Sequence, residues 1–142
     1  MQNERKIVIF DIDGTLAKMN DRSPFDWSRV GEDKPKIPII NILKMFTCCC
    51  SSYEIFLFSG RDEVCREITE NWLYENGIEF KQLFMRSKGD IRKDAIVKKE
   101  LFNNHIKGKY EVLAVFDDRQ QVVDMWRNEL GLTCLQVAEG NF

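Results

Sequence analysis

Apolar runs of β-forming residues recur along the chain, and each stops abruptly at polar residues. Ile7-Val-Ile-Phe10 runs into Asp11, Tyr53-Glu-Ile-Phe-Leu-Phe58 into Ser59-Gly60-Arg61-Asp62, and Glu111-Val-Leu-Ala-Val-Phe116 into Asp117-Asp118-Arg119. Such runs predict buried strands, here 6–10, 53–58 and 111–116, with shorter ones near 79–84 and 133–137. Between them lie helical spacings. Ile39, Ile40, Leu43 and Phe46 fall on one face of a helix over 38–48. Further helices are expected over 62–76, about 90–105 and 119–130, with Gly77 and Gly131 placed as C-terminal caps. Residues 17–36 carry no periodic pattern and are expected to be irregular. Strands alternating with helices predict an α/β fold: a three-layer, Rossmann-like, five-stranded parallel sheet with helices on both faces. No repeat, linker or low-complexity stretch divides the chain, so residues 1–142 are expected to form a single domain.

Composition narrows the class only a little. The chain has 142 residues, 44% hydrophobic and 31% charged, as ordinary globular proteins do. A formal net charge of −2 provides no global basic field, so any polynucleotide contact must be local. No apolar stretch approaches the roughly 20 residues of a membrane span. Residues 1–6 lead straight into the first strand, leaving no room for a signal peptide. Cys48, Cys49, Cys50, Cys65 and Cys134 make an odd count without such a signal, which points to reduced thiols in a cytoplasmic protein.

The candidate chemistry sits at the ends of the strands. In open α/β sheets that edge binds ligands. Asp11 and Asp13 alternate along an extended chain and share a face, and two close carboxylates call for a compensating cation. Gly14 lets the chain turn sharply after them. Ser59-Gly60-Arg61, read as a strand end opening a helix, predicts a phosphate cradle: a hydroxyl donor, helix-start N–H groups and an arginine fork. Adjacent acids at Asp117-Asp118 fit the oxygen ligands of a magnesium ion.

Together these motifs resemble the haloacid dehalogenase superfamily of aspartate-nucleophile phosphatases: Asp11-Ile-Asp13-Gly14-Thr15, then Ser59, a lysine, and Asp117-Asp118, in that order. Details extend the likeness to the 3′-phosphatase domain of phage-type polynucleotide kinase–phosphatases. They are Phe-Asp-Ile-Asp-Gly-Thr-Leu-Ala-Lys-Met-Asn at 10–20, Ser-Gly-Arg at 59–61, Arg-Lys-Asp at 92–94, Asp-Asp-Arg-x-Gln-Val-Val at 117–123, Met125-Trp126-Arg127 and Gln-Val-Ala-x-Gly-x-Phe at 136–142.

The resemblance implies roles. Asp11 is the nucleophile and Asp13 the general acid–base. Asp11, the carbonyl of Asp13 and Asp118 hold Mg2+, with Asp117 in support. Ser59 and a lysine hold the phosphoryl oxygens. Lys88, Lys93, Lys98 and Lys99 all precede the last acidic motif; the family's spacing, an Asp four residues ahead on one helix face, selects Asp94 and Lys98 and leaves Lys93 as the alternative. Arg22, Gly60, Arg61, Arg86 and Asp94 are expected to bind substrate. Arg22 is placed on a flexible segment bordering the site. Trp72 and Trp126 are expected in core or half-buried roles, and His105 on the surface.

The gaps at 17–36 and 62–93 are too short for a large cap domain, so the site is expected to be open and suited to a polymer end. No Gly-x-x-x-x-Gly-Lys-Ser/Thr cradle is present, so the phosphatase stands alone or is a fragment. The implied substrates are 3′-phosphorylated DNA or RNA ends, with a separate kinase or ligase of an end-repair pathway as partner and no membrane. Rival readings are a phosphomonoesterase acting on small nucleotides or other metabolites, and a non-catalytic end-binding protein.

Overall fold

The computed structural model describes residues 5–48 and 52–142. Cys49 and Cys50 lie outside the described residues. Five parallel strands form the main sheet: β1 (Arg5–Phe10), β4 (Tyr53–Asp62), β5 (Gln82–Arg86), β6 (Tyr110–Asp117) and β7 (Cys134–Gln136). Their order across the sheet is β5-β4-β1-β6-β7. The chain builds outward from β1 through β4 to β5, then returns to the other side of β1 with β6. That reversal opens a crevice at the carboxyl ends of β1 and β6, where such sheets bind ligands.

Alternation along the central strand explains the three layers. Val8 and Phe10 point to one face, where they meet Leu43 of α1 (Ile37–Phe46) and Trp72 and Leu73 of α2 (Arg66–Glu75). Ile7 and Ile9 point to the other face. There they join Phe102 of α3 (Asp94–His105), Val122 and Val123 of α4 (Gln120–Asp124) and Trp126. All four strand residues are fully buried, which is why the run reads as continuously apolar. Phe10 stacks on Phe116 with ring centroids 4.4 Å apart, locking β1 to β6 just below the crevice.

Several boundaries differ from the sequence expectation. The 17–36 segment is ordered: β2 (Ala17–Lys18) and β3 (Lys34–Pro35) pair as an antiparallel ribbon, with a 3₁₀ turn over Trp27–Glu32 between them. Side-chain ion pairs hold this segment, and periodicity does not report them. β4 continues past Phe58 to Asp62, with a register irregularity against β5 between Ser59 and Asp62. Helix α2 starts only at Arg66, after a 3₁₀ turn over Glu63–Cys65 that Asp62 caps. Ser59-Gly60-Arg61 is therefore strand backbone and not the start of a helix. After Asp124 the last helix widens into a π-helical turn, Met125–Glu129, that buries Trp126. Cys48, Cys65 and Cys134 are free thiols, and His105 is exposed, stacked on Phe84. Among the described residues no helix is long and apolar enough to cross a membrane.

Candidate active site

β1 ends at Phe10, and the next residue, Asp11, is tied to β6 by its backbone N–H, which donates to the carbonyl of Phe116 at 2.9 Å. The carboxylates of Asp11, Asp117 and Asp118 thus converge across the crevice, with ligand atoms within 4.8 Å of one another, all three residues buried. Gly14 makes room for them: at φ +84°, a Cβ there would stand 2.0 Å from Asp118 Oδ2. A glycine is required on both counts.

Lys98, from the middle of α3, is the counter-charge. Its Nζ donates to Asp11 Oδ1 at 2.8 Å and to Asp117 Oδ2 at 3.0 Å, and lies 3.6 Å from Asp94 Oδ2. Of the lysines left open by the sequence, Lys98 is the one the fold brings to the acids; Lys93 stands at the exposed start of α3. Burial opposes the Lys98 charge, but Asp11, Asp117 and Asp94 outweigh it and raise its pKa well above the ordinary value. One ammonium does not balance the cluster. Burial, then the Asp117 charge, push Asp11 well above the ordinary carboxylate range despite Lys98. Asp118 is also raised, by burial and by Asp117. Buried, crowded, all-oxygen donors of this kind fit a hard divalent cation, whose charge would offset theirs.

Asp117 and Asp118 differ in their surroundings. Asp117 accepts from four donors: the backbone N–H groups of Asp118 and Arg119, Lys98 Nζ and the indole N–H of Trp126. Among the described residues no basic side chain lies within ion-pair distance of Asp118. Its backbone is held from the far side instead. Gln136 donates to its carbonyl at 3.1 Å, and Gly140 packs so closely that a Cβ would stand 2.3 Å from that oxygen.

Asp13 faces the opening. Its side chain is 34% exposed, whereas the Asp11 side chain is 6% exposed, so solvent can reach Asp13. It stays in place because Arg61 grips it through Nε and Nη2 at 2.8–3.2 Å, with Arg22 at 3.4 Å. Behind both arginines sits Asp33, fully buried, accepting from Arg22 at 2.8 and 2.9 Å and from Arg61 at 2.9 Å. Trp72 of α2 fixes Asp33 by donating to its carbonyl at 2.7 Å. Arg22 is thus not on a flexible border: its guanidinium is buried because Asp33 and Asp13 draw it inward. Asp33 has no periodic or motif signal in the sequence, and the fold alone brings it to the arginines.

Ser59 is buried, and its Oγ accepts from the Arg61 N–H at 3.0 Å. Gly60 lies against Asp94, where a Cβ would stand 2.2 Å from Oδ1. Arg86 donates to the Gly60 carbonyl at 2.9 Å and to the carbonyls of Asp90 and Arg92, with Asp94 at 3.5 Å. Its donors therefore fasten the 87–93 loop. Thr15, which the sequence marked only as the end of the first motif, donates to Asp11 Oδ2 at 3.1 Å and sets that carboxylate's orientation with Lys98.

This geometry has close relatives. A family profile described as "Polynucleotide kinase PNKP phosphatase domain" matches residues 5–142. The chain belongs to that family. It is a phosphomonoester hydrolase of the haloacid dehalogenase type. A protein of Autographa californica nuclear polyhedrosis virus, assigned as a bifunctional polynucleotide kinase/RNA ligase, is 41% identical over 125 residues, covering 87% of this chain and 18% of that one. The structure of a Pnkp1/Rnl/Hen1 complex contains a chain 46% identical, with a TM-score of 0.93 over 97% of this chain and 47% of that one. A second, of the Pnkp1/Rnl/Hen1 RNA repair complex, matches with the same identity and TM-score and 44% of its chain. The chain thus spans less than half the length of these relatives.

Proposed function

We propose that this domain is a Mg2+-dependent 3′-phosphatase of polynucleotide ends that works through an aspartyl-phosphate on Asp11. The observation that carries this reading is the pairing of a buried carboxylate, Asp11, oriented by Lys98 and Thr15, with a half-exposed one, Asp13, gripped by Arg61. One is placed to attack and the other to trade protons with the mouth of the site.

In the first step an Asp11 oxygen forms a bond to phosphorus while the bond to the sugar 3′-oxygen breaks, and Asp13 gives that oxygen its proton. In the second, Asp13 takes a proton from water as the water oxygen attacks phosphorus. The Asp11–phosphorus bond breaks, releasing inorganic phosphate, freeing the Asp11 carboxylate and leaving Asp13 protonated as it began. Lys98 Nζ and the Ser59 hydroxyl supply fixed donors to the phosphoryl oxygens. Asp11, Asp118 and the carbonyl of Asp13 would hold Mg2+, with Asp117 in support; bound there, the ion offsets the carboxylates and the charge on phosphorus. The partners proposed are 3′-phosphorylated DNA or RNA ends, together with kinase and ligase activities of an end-repair pathway, in keeping with the relatives' names.

Asp13 at an uncovered mouth also fits the rival reading, a phosphatase of small nucleotides. Phosphate release from a 3′-phosphorylated oligonucleotide and from the matching 3′-mononucleotide, each with Mg2+ and with chelator, separates the two. The proposal expects release that needs Mg2+ and a higher kcat/KM on the oligonucleotide. Equal values on both substrates would favour the small-molecule reading, and full turnover in chelator would remove Mg2+ from the scheme.

A further inference from the structure

The arginines expected from sequence to hold a polymer are engaged within the protein. Arg22 and Arg61 are buried against Asp33 and Asp13, and Arg86 is spent on backbone carbonyls. Arg92 is neutralised by Asp90 and Glu100. The phosphodiesters that follow a terminal phosphate must therefore be met elsewhere.

The β2–β3 ribbon offers an unusual feature. Its two strands contribute two residues each, and one of the two cross-strand pairs is Lys18 opposite Lys34. Like charges directly opposite on a ribbon destabilise it. Both lysines are exposed, and among the described residues neither has an acidic partner. The rest of the ribbon is anchored to the catalytic loop. Gly14 N–H donates to the Ala17 carbonyl at 2.8 Å, Ala17 bridges to Asp13, and Lys36, just beyond β3, donates through Nζ to the Gly14 carbonyl at 2.7 Å. Lys18 therefore follows directly on a residue paired with the proton donor Asp13. The ribbon thus borders Asp13, and a strand whose 3′ end lay on Asp11 could present its next phosphate there. A bound anion would also relieve the repulsion between the lysines.

We infer that Lys18 and Lys34 form a backbone-phosphate clamp for a single-stranded polynucleotide, holding the phosphodiester next to the scissile 3′-phosphate. This rests on the reading of the domain as a polynucleotide 3′-phosphatase and adds where the strand is held. The contact reads charge, not base, so it is indifferent to sequence.

The test measures kcat/KM against salt for the wild type and for Lys18→Ala, Lys34→Ala and the double variant. The substrates are a 3′-phosphorylated single-stranded oligonucleotide and p-nitrophenyl phosphate. Each lysine removed should flatten the oligonucleotide's log–log salt slope by about 0.7. The double variant should lose about tenfold more on the oligonucleotide than on the aryl phosphate. Lys18→Glu, which creates an opposite-charge pair with Lys34, should keep or raise Tm while lowering oligonucleotide kcat/KM further. If the double variant keeps the wild-type slope and substrate ratio, or loses Tm without a change in slope, the clamp is wrong. If the wild type hydrolyses the aryl phosphate but releases nothing from the oligonucleotide, the underlying reading fails instead.

Discussion

Asp117 and Asp118 are neighbours in sequence with opposite surroundings, and substitution should separate them. Asp117 neutralises Lys98 and satisfies the buried indole N–H of Trp126. Asp117→Ala takes one of the two carboxylate acceptors from a buried ammonium and leaves the Trp126 indole without its acceptor, so a stability loss on the order of 1–3 kcal/mol is expected. Asp118 instead adds to a crowded set of acids. Asp118→Ala should leave Tm level or higher, yet reduce activity more than Asp117→Ala does and raise the Mg2+ concentration needed for half-maximal rate. Thermal melts and Mg2+ titrations of the two variants check this; equal Tm losses would mean the two acids share one role. Asp13→Ala, which removes proton transfer, should lower kcat on the order of 10²–10⁴-fold, and an aryl phosphate with a good leaving group should lessen the loss.

At the scale of elements, the buried trio of Arg22, Arg61 and Asp33 ties the 17–36 segment to β4 and α2. Asp33→Asn removes the charge opposing two buried guanidinium groups, so we expect a loss of about 3–5 kcal/mol, together with a fall in kcat as Asp13 loses its fixed grip. A variant with wild-type Tm and kcat would show that Asp13 alone holds the arginines. Gly60→Ala tests β4 in the same way, since its Cβ must displace Asp94; the expected result is a lower kcat with the fold retained by circular dichroism. These elements also mark where the sequence was legible. β1, β4 and β6 were readable because both their faces are buried, which writes a continuous apolar run. Asp11, Asp13 and Asp117-Asp118 were readable as candidates because close acids at a strand end call for a compensating cation, whereas Ser59 stood out only beside them. The 17–36 segment was not, because its order comes from Asp33, an acid with no periodic or motif signal, meeting partners far along the chain. The strand character of Ser59–Asp62 was hidden for a related reason. Gly60 and polar neighbours read as a turn, while hydrogen bonds from Arg86 and within Ser59–Arg61 keep the chain extended.

For the whole molecule, the acid cluster ties stability to pH and, in the proposed function, to metal. Asp11 and Asp118 have pKa values raised above the ordinary 3.8. In that window the folded state holds protons that the unfolded state has released. The stabilisation is therefore complete below the ordinary carboxylate value and is lost as pH rises through the raised ones. Metal-free protein should lose Tm as pH rises above the ordinary carboxylate value, and Mg2+ should restore more Tm at the higher pH than at the lower. A metal-free Tm that rises through this window would contradict the crowding of carboxylates at the crevice. The central claim concerns which end of a strand this crevice serves. Ester chemistry is alike at both ends, so discrimination must come from how the strand approaches Asp11. The most direct test offers one oligonucleotide phosphorylated at either its 3′ or its 5′ end and measures phosphate release with Mg2+ by the wild type and by Asp11→Asn. The account predicts release from the 3′-phosphorylated strand, little from the 5′-phosphorylated one, and none from either with Asp11→Asn; equal rates at the two ends, or undiminished release by Asp11→Asn, would contradict it.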